Sequence, residues 1–225
     1  QQHADHLAPV RRIEFAALAG PCAVRSSAIG EDSEGASFAG QHLTVLNVHS
    51  IERMLEAVRE VHASAHTEAA LAYRRKLGVP GGPRIAVAVQ KLVASEIAGV
   101  MFTRNPITGA DERTIEAAWG LGETIVAGLV VPDTYRIART GEVLERVVGD
   151  KDLELVHEAG GGTLEVEVAA ERRDAACLDD AKLAHLHALA LECERCYGLE
   201  LDIEWAFASD VLYLLQCRAI TKSAR

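Results

Sequence analysis

The residues best suited to chemistry lie on the last two expected strands. One carries Asp202-Ile203-Glu204-Trp205 and the next carries Gln216-Cys217-Arg218, joined through the short turn at Ser209-Asp210. Alternation along a strand puts Asp202 and Glu204 on one face, with Ile203 and Trp205 on the other. Gln216 and Arg218 likewise share a face, opposite Leu215 and Cys217. If the two polar faces coincide, two carboxylates, an amide and a guanidinium meet on one side of a sheet. Carboxylate oxygens suit Mg2+, which also takes phosphate oxygens, and a guanidinium offers phosphate a planar fork. Alternation alone also fits a solvated face with cross-strand ion pairs.

Two further features have the same flavour. Val24-Arg25-Ser26-Ser27 delivers a cation and two hydroxyls into a loop holding Glu31-Asp32 and Ala36-Ser37-Phe38-Ala39-Gly40. Such a loop can turn N–H groups and hydroxyls toward phosphate, and Gly40 permits close approach of backbone to ligand. An ordinary polar loop would read the same way. Val87-Ala88-Val89-Gln90-Lys91 reads as a strand whose end could meet the edge of an adenine, with Gln90 as polar anchor. It also reads as an edge strand with no ligand.

The elements that must position these groups follow from periodicity. Residues 1–20 have roughly helical spacing and run into a loop. Cys22–Ser26 is a short strand, Ala28–Gly40 a loop and His42–Val48 a strand. Ile51–Leu77 is helical with a break near Thr67, and the Gly78–Pro83 turn ends it. Arg84–Val93 and Ile97–Thr103 read as neighbouring strands. Asn105–Asp111 is a turn, Arg113–Trp119 a strand, and Gly120–Gly128 could open a helix. Thr134–Ala138 and Val143–Val148 pair about Thr140-Gly141, and Thr163–Val168 is a further strand. Asp179–Tyr197 is the clearest helix, with Leu183, Leu186, Ala190 and Cys193 on one face and Gly198 as its stop. Leu201–Ala208 and Val211–Arg218 close the chain. The class is α+β, a mixed but mostly antiparallel sheet flanked by helices.

Composition narrows the function. The 225 residues are 49% hydrophobic and 25% charged, enough for a large domain or two small ones with a real core. A net charge of −10 argues against a general nucleic-acid surface but not against a nucleotide, whose pocket needs only local cations and a metal ion. No apolar run nears the ~20 residues that span a bilayer. The five cysteines, an odd number without a signal peptide, suggest reduced thiols in a cytoplasm. Cys193-x-x-Cys196 lacks a second paired motif and sits late in an amphipathic helix, so core packing reads better for Cys193 than metal binding. Gly120-Leu121-Gly122-Glu123 is not a dinucleotide fingerprint.

The ordered motifs resemble a known family. Val24-Arg25-Ser26-Ser27-Ala28, Ala36-Ser37-Phe38-Ala39-Gly40-Gln41, Leu46-Asn47-Val48, Gly99-Val100-Met101-Phe102-Thr103, Asn105-Pro106-Ile107-Thr108-Gly109, Trp119-Gly120-Leu121-Gly122-Glu123, Pro132-Asp133-Thr134-Tyr135, Asp202-Ile203-Glu204-Trp205 and Gln216-Cys217-Arg218-Ala219-Ile220-Thr221 look like the nucleotide-binding domain of phosphoenolpyruvate synthase, pyruvate phosphate dikinase and rifampin phosphotransferase. The resemblance implies an ATP-grasp fold with ATP held between subdomains, here 1–80 with the phosphate loop and 81–225 with the metal and phosphate site. It implies that Arg25 contacts ATP phosphates, that Gly40 and Thr44 lie beside the nucleotide, and that Gln90 serves its adenine and ribose side. Glu204 would hold Mg2+ with Asp202 and Gln216 nearby, and Gln216 and Arg218 would reach the phosphates. Arg25 and Arg218 are thus the catalytic pair. The module would phosphorylate a histidine on a mobile domain, and a third domain would pass phosphate to a small acceptor, releasing AMP.

Departures from the family pattern are equally informative. The family carries a Gly- and Lys-containing segment well upstream of its Val-Arg-Ser-Ser motif, and no Gly-Gly-Lys-Gly run occurs among the 24 residues before Arg25. The phosphohistidine loop and acceptor domain are also missing, and His66-Thr67 is only a superficial match. The chain, which begins at Gln1, therefore reads as a fragment or split subunit covering roughly the last two-thirds of the ATP module. The rival reading is a degenerate module that binds nucleotide or a partner without catalysis. Apolar surface exposed by truncation would favour a homodimer, which light scattering would detect.

Overall fold

Two stretches of alternating Val, Ile and Ala that follow one another in sequence end up in different sheets. The structure, a computed structural model, describes residues 18, 20–28, 43–76, 82, 85–198 and 200–220. It divides into two compact units, residues 1–92 with 157–163, and residues 93–156 with 164–225.

In the first unit, β1 (Cys22–Ala28), β2 (Thr44–Val48) and β3 (Ile85–Lys91) form an antiparallel sheet in the order β2-β1-β3. Val24, Val45, Val87 and Val89 pack on Met54, Ala57 and Val61 of α1 (Ile51–Ser64). That helix begins where the Ser50 hydroxyl accepts from the Arg53 N–H at 3.1 Å. The expected break falls at Ala65-His66-Thr67, where the Thr67 hydroxyl accepts from the Ala70 N–H and opens α2 (Glu68–Lys76). Ala28, expected to begin a loop, is the last residue of β1. The rest of that loop and the helix expected over residues 1–20, Leu18 and Gly20 apart, lie outside the described residues.

Asn47 explains one of the motifs. It takes a positive φ of 57° and is buried, a conformation that Asn tolerates better than most L-residues. Its side-chain amide donates to the Glu158 and Gly162 carbonyls, both at 2.7 Å. Asn47→Ala would leave both carbonyls without this donor. We expect it to cost about 1–3 kcal/mol of first-unit stability, read from urea unfolding followed by far-UV circular dichroism. An unchanged midpoint would contradict this.

The second unit holds β4 (Ile97–Phe102), β5 (Glu112–Trp119), α3 (Glu123–Val126), β6 (Asp133–Ala138), β7 (Val143–Val147), α4 (Ala170–Arg173), α5 (Asp180–Tyr197), β10 (Leu201–Ala208) and β11 (Val211–Ala219). Its sheet has the order β11-β10-β4-β5-β6-β7 with every neighbour antiparallel. β8 (Leu153–His157) and β9 (Thr163–Glu167) make a separate two-stranded ribbon. The expected pairing of β3 with β4 is therefore wrong. β3 pairs with β1, and β4 lies between β10 and β5. β8 and α4 were not expected from the sequence, and the helix after Gly120 is a single short turn, α3.

The helix α5 covers one face of this sheet. Leu183, Leu186, Ala190 and Cys193 meet Met101, Ile115, Tyr135, Ile203 and Trp205 in one core. The Asp179 carboxylate caps the helix start by accepting from the Lys182 N–H at 2.8 Å, and Gly198 at φ 67° ends it. Gly99 matters to this packing, because a β-carbon there would collide with the Glu116 carbonyl oxygen and the Trp205 indole.

A titratable contact also holds α5 down. Buried Arg113 donates to Glu194 at 2.9 Å and to the His187 Nδ1 at 3.0 Å, so that nitrogen must carry a lone pair and the ring is neutral. Burial, then the Arg113 charge, pushes the His187 pKa below its ordinary value. The unfolded chain therefore binds a proton more readily. This contribution to stability is complete above the unfolded pKa of about 6.5 and is lost as pH falls through the folded value. Urea midpoints at pH 7.5 and 5.5 should converge more closely for His187→Gln than for the native chain. Equal pH dependence in the two would remove His187 from the account.

Candidate functional site

The expected ligand residues fall into two sets, one in each unit. In the first unit, β1 pairs Arg25 with Thr44 of β2 and with Ala88 of β3, and pairs Ala23 with Gln90. Paired residues of an antiparallel ladder share a face, as do alternate residues of one strand. Arg25, Thr44 and Gln90 thus lie together on the sheet face opposite the Val24–Val89 core. The Arg25 Nε donates to the Gln90 Oε1 at 3.2 Å. Gly40 lies outside the described residues. What the sequence did not show is that Arg25 and Gln90, 65 positions apart, are direct partners. Their common face depends on strand pairing, which alternation within either strand leaves open.

In the second unit, β10 and β11 pair Asp202 with Arg218, Ile203 with Cys217 and Glu204 with Gln216. The two polar faces expected from alternation therefore coincide, on the side of the sheet away from α5. Just beyond Glu204 the register shifts, so that Trp205 faces Leu214. The irregularity leaves the polar pairs in step while Trp205 goes into the core. The Arg218 Nε and Nη2 both reach the same oxygen of Asp202, each at 2.8 Å. This fixes the plane of the guanidinium. The other Asp202 oxygen is buried with no hydrogen-bond partner.

The ladder adds a residue that sequence reasoning missed. Glu204 pairs with Val100, and Val100 with Glu116 on β5, so Gln216, Glu204 and Glu116 share one row across the sheet. Burial raises the Glu116 pKa above its ordinary value. The alternation of Thr114 and Glu116 with Ile115 and Ala117 was the available signal, but only the strand order carries it to Glu204.

Metal chemistry can be weighed against these donors. Among the described residues no three His, Cys, Asp or Glu side chains gather into a metal cage. Mg2+ needs no such cage when substrate phosphates and water complete its shell around one or two carboxylates. Glu204, the amide oxygen of Gln216 and the unpartnered Asp202 oxygen fit that sparser mode.

Other motif residues are structural. The Asn105 amide donates to Glu112 at 2.8 Å, while its oxygen accepts from the Ile107 and Thr108 N–H groups, both at 3.0 Å, holding the β4–β5 turn. The Thr103 hydroxyl accepts from the Leu201 N–H at 2.8 Å. The fully buried Asp133 accepts from the Gly149 and Cys177 N–H groups, the Tyr135 hydroxyl and the Lys151 ammonium. Gly120 has φ 76° and sits where a β-carbon would strike the Leu155 carbonyl.

The mixed α+β architecture with antiparallel sheets is that of an ATP-grasp domain. Residues 10–225 match the family described as pyruvate phosphate dikinase, AMP/ATP-binding domain, and the chain belongs to that family. It is 42% identical over 202 residues to a probable phosphoenolpyruvate synthase of Methanocaldococcus jannaschii, covering 88% of this chain and 17% of that protein. It is 43% identical over 201 residues to the corresponding protein of Methanothermobacter thermautotrophicus, covering 88% and 29%. A rifampicin phosphotransferase of Streptomyces sviceus is 40% identical over 201 residues, with 88% and 23% covered. The chain thus spans less than a third of each of these longer relatives. No described helix is long and apolar enough to cross a membrane.

Proposed function

We propose that this chain is the nucleotide-binding portion of a dikinase-type phosphotransferase. It would use Mg-ATP to phosphorylate a histidine on a separate domain, for onward transfer to pyruvate or another small acceptor, giving AMP and phosphate. The phosphohistidine and acceptor domains lie on the same or another chain, in keeping with the greater length of the relatives. The observation that carries the reading is the register that sets Glu204 beside Gln216 and Asp202 beside Arg218 on one sheet face.

Phosphoryl transfer is chiefly a matter of positioning and charge neutralisation. When bound, Mg2+ supplies neutralisation of phosphate oxygens. Glu204 and Gln216, with Asp202, orient oxygen ligands toward it. Arg218, its plane fixed by Asp202, presents N–H groups to phosphate. In the first unit Arg25, its guanidinium steadied by Gln90, would offer N–H groups to phosphate, and Gln90, Gly40 and Thr44 would serve the nucleotide, as the family resemblance implies.

Calorimetric titration with Mg2+ and a non-hydrolysable ATP analogue tests this. Glu204→Gln keeps the size of the side chain and removes its charge. We expect it to weaken binding in Mg2+ about tenfold or more, with a much smaller loss when the metal is chelated. The same affinity for native and variant chains in Mg2+ would reject the metal role. A chain that binds the analogue through these residues, but transfers no phosphate when a phosphohistidine domain of a relative is supplied, would be the non-catalytic module instead.

A further inference from the structure

Three of the five cysteines gather at the end of α5. Cys193 is buried in the second unit's core, and Cys217 packs against the same core from β11 at the register position opposite Ile203. Both thiols therefore lie in the layer between α5 and the sheet, close enough for each to perturb the ionisation of the other. Cys196, one helical turn beyond Cys193, is exposed. All are free thiols. A thiophilic metal would need three convergent ligands, and the described residues offer no such group.

We propose that Cys193 and Cys217 form a reversible disulfide, with Cys196 as the thiol through which a peroxide enters. Burial raises the pKa of both inner thiols, and the adjacent Cys193 adds to this for Cys217, which is pushed up to about 12. Neither is a ready nucleophile toward an oxidant in solution. The exposed Cys196 meets the peroxide first. Hydrogen peroxide gives its sulfur one oxygen, leaving water and a sulfenic acid. The Cys193 thiol attacks that sulfur, the S–O bond breaks, and a second water departs. Cys217 then attacks the Cys193 sulfur. The bond to Cys196 breaks, and Cys196 regains a thiol with the proton that Cys217 gives up. In total, two thiols and one peroxide yield one disulfide and two waters.

The exchange runs toward Cys217 because its thiol faces the same core as that of Cys193, between β11 and α5. The Cys193–Cys196 bond would instead staple one turn of a helix. The product fixes to α5 the stretch of β11 from which Gln216 and Arg218 project on the other face. Its formation does not depend on what those residues bind.

Peptide mapping tests the proposal on the native chain. The reduced protein is treated with hydrogen peroxide, its remaining thiols are alkylated with N-ethylmaleimide in mildly acidic denaturant, which reaches buried thiols and halts exchange, and it is digested. Trypsin leaves Cys193 on residues 183–195 and leaves Cys196 and Cys217 together on 196–218, and chymotrypsin cuts after Tyr197 to part them. The expected product joins the Cys193 and Cys217 fragments, carries an alkylated Cys196, and disappears with dithiothreitol. In Cys196→Ser, a surface change, the same cross-link should form about tenfold more slowly. Alkylated Cys193 and Cys217, or a stable end product retaining Cys196 in the disulfide, would overturn the pairing. An unchanged rate in Cys196→Ser would overturn the entry route.

Discussion

Lys151→Met is expected to destabilise the second unit by about 3–5 kcal/mol, the cost of removing one partner from a buried ion pair. Both Lys151 and Asp133 are fully buried. The ammonium donates to Asp133 and to the Gly149 carbonyl at 3.2 Å. Methionine fills a similar volume but leaves the Asp133 carboxylate with neutral donors only, the two N–H groups and the Tyr135 hydroxyl. Both tryptophans, Trp119 and Trp205, lie in the second unit, so their fluorescence reports its unfolding. The melting temperature should fall on the order of 10 °C. The double variant Lys151→Met/Asp133→Asn removes both charges and should recover part of the loss. A single variant costing under about 1 kcal/mol would show that the pair does not hold the unit together.

Arg218→Ala is the second large effect, and it acts twice. It removes a guanidinium whose hydrogen bonds to a charged group are each worth about 1.5–3 kcal/mol, so affinity for an ATP analogue should fall about 10- to 100-fold. It also strips Asp202 of both bonds from Arg218. The Arg218 and Asp202 side chains keep only 17% and 11% of their exposure, so the stability cost should approach that of a fully buried pair without reaching it. Arg218→Lys separates the two effects. An ammonium keeps the charge beside Asp202 and much of the stability, but it lacks the planar fork and should lose much of the affinity. If Arg218→Lys binds the analogue as tightly as the native chain, Arg218 serves the fold alone.

Much of the second site was legible because a β-hairpin is local. Period-2 alternation and the Ser209-Asp210 turn suffice to put Asp202, Glu204, Gln216 and Arg218 on one face, and the register bears that out. The α5 core face was legible for the same reason. Pairing between distant strands was not. β3 and β4 carry similar apolar alternation and are joined by a short link, yet β3 pairs with β1 and β4 with β10. Nothing within either strand encodes its partner. The contact between Arg25 and Gln90, and the place of Glu116 in the Glu204 row, depend on that same pairing and stayed hidden. Motif likeness mixed two kinds of residue. Asn47, Asn105 and Asp133 hold turns and buried backbone, whereas Arg25, Glu204, Gln216 and Arg218 line half-buried sheet faces. The first kind bind backbone groups through their side chains, which the motifs do not reveal.

The central proposal is that Mg-ATP engages Glu204, Gln216 and Arg218 on the polar face of the second unit's sheet. The most direct measurement is an NMR titration of the isotope-labelled chain with a non-hydrolysable ATP analogue and Mg2+. Backbone amides around Glu204, Gln216 and Arg218 should shift and saturate together, and Arg218→Ala should weaken that response. Unshifted amides at these positions, or an unchanged response in Arg218→Ala, would contradict it.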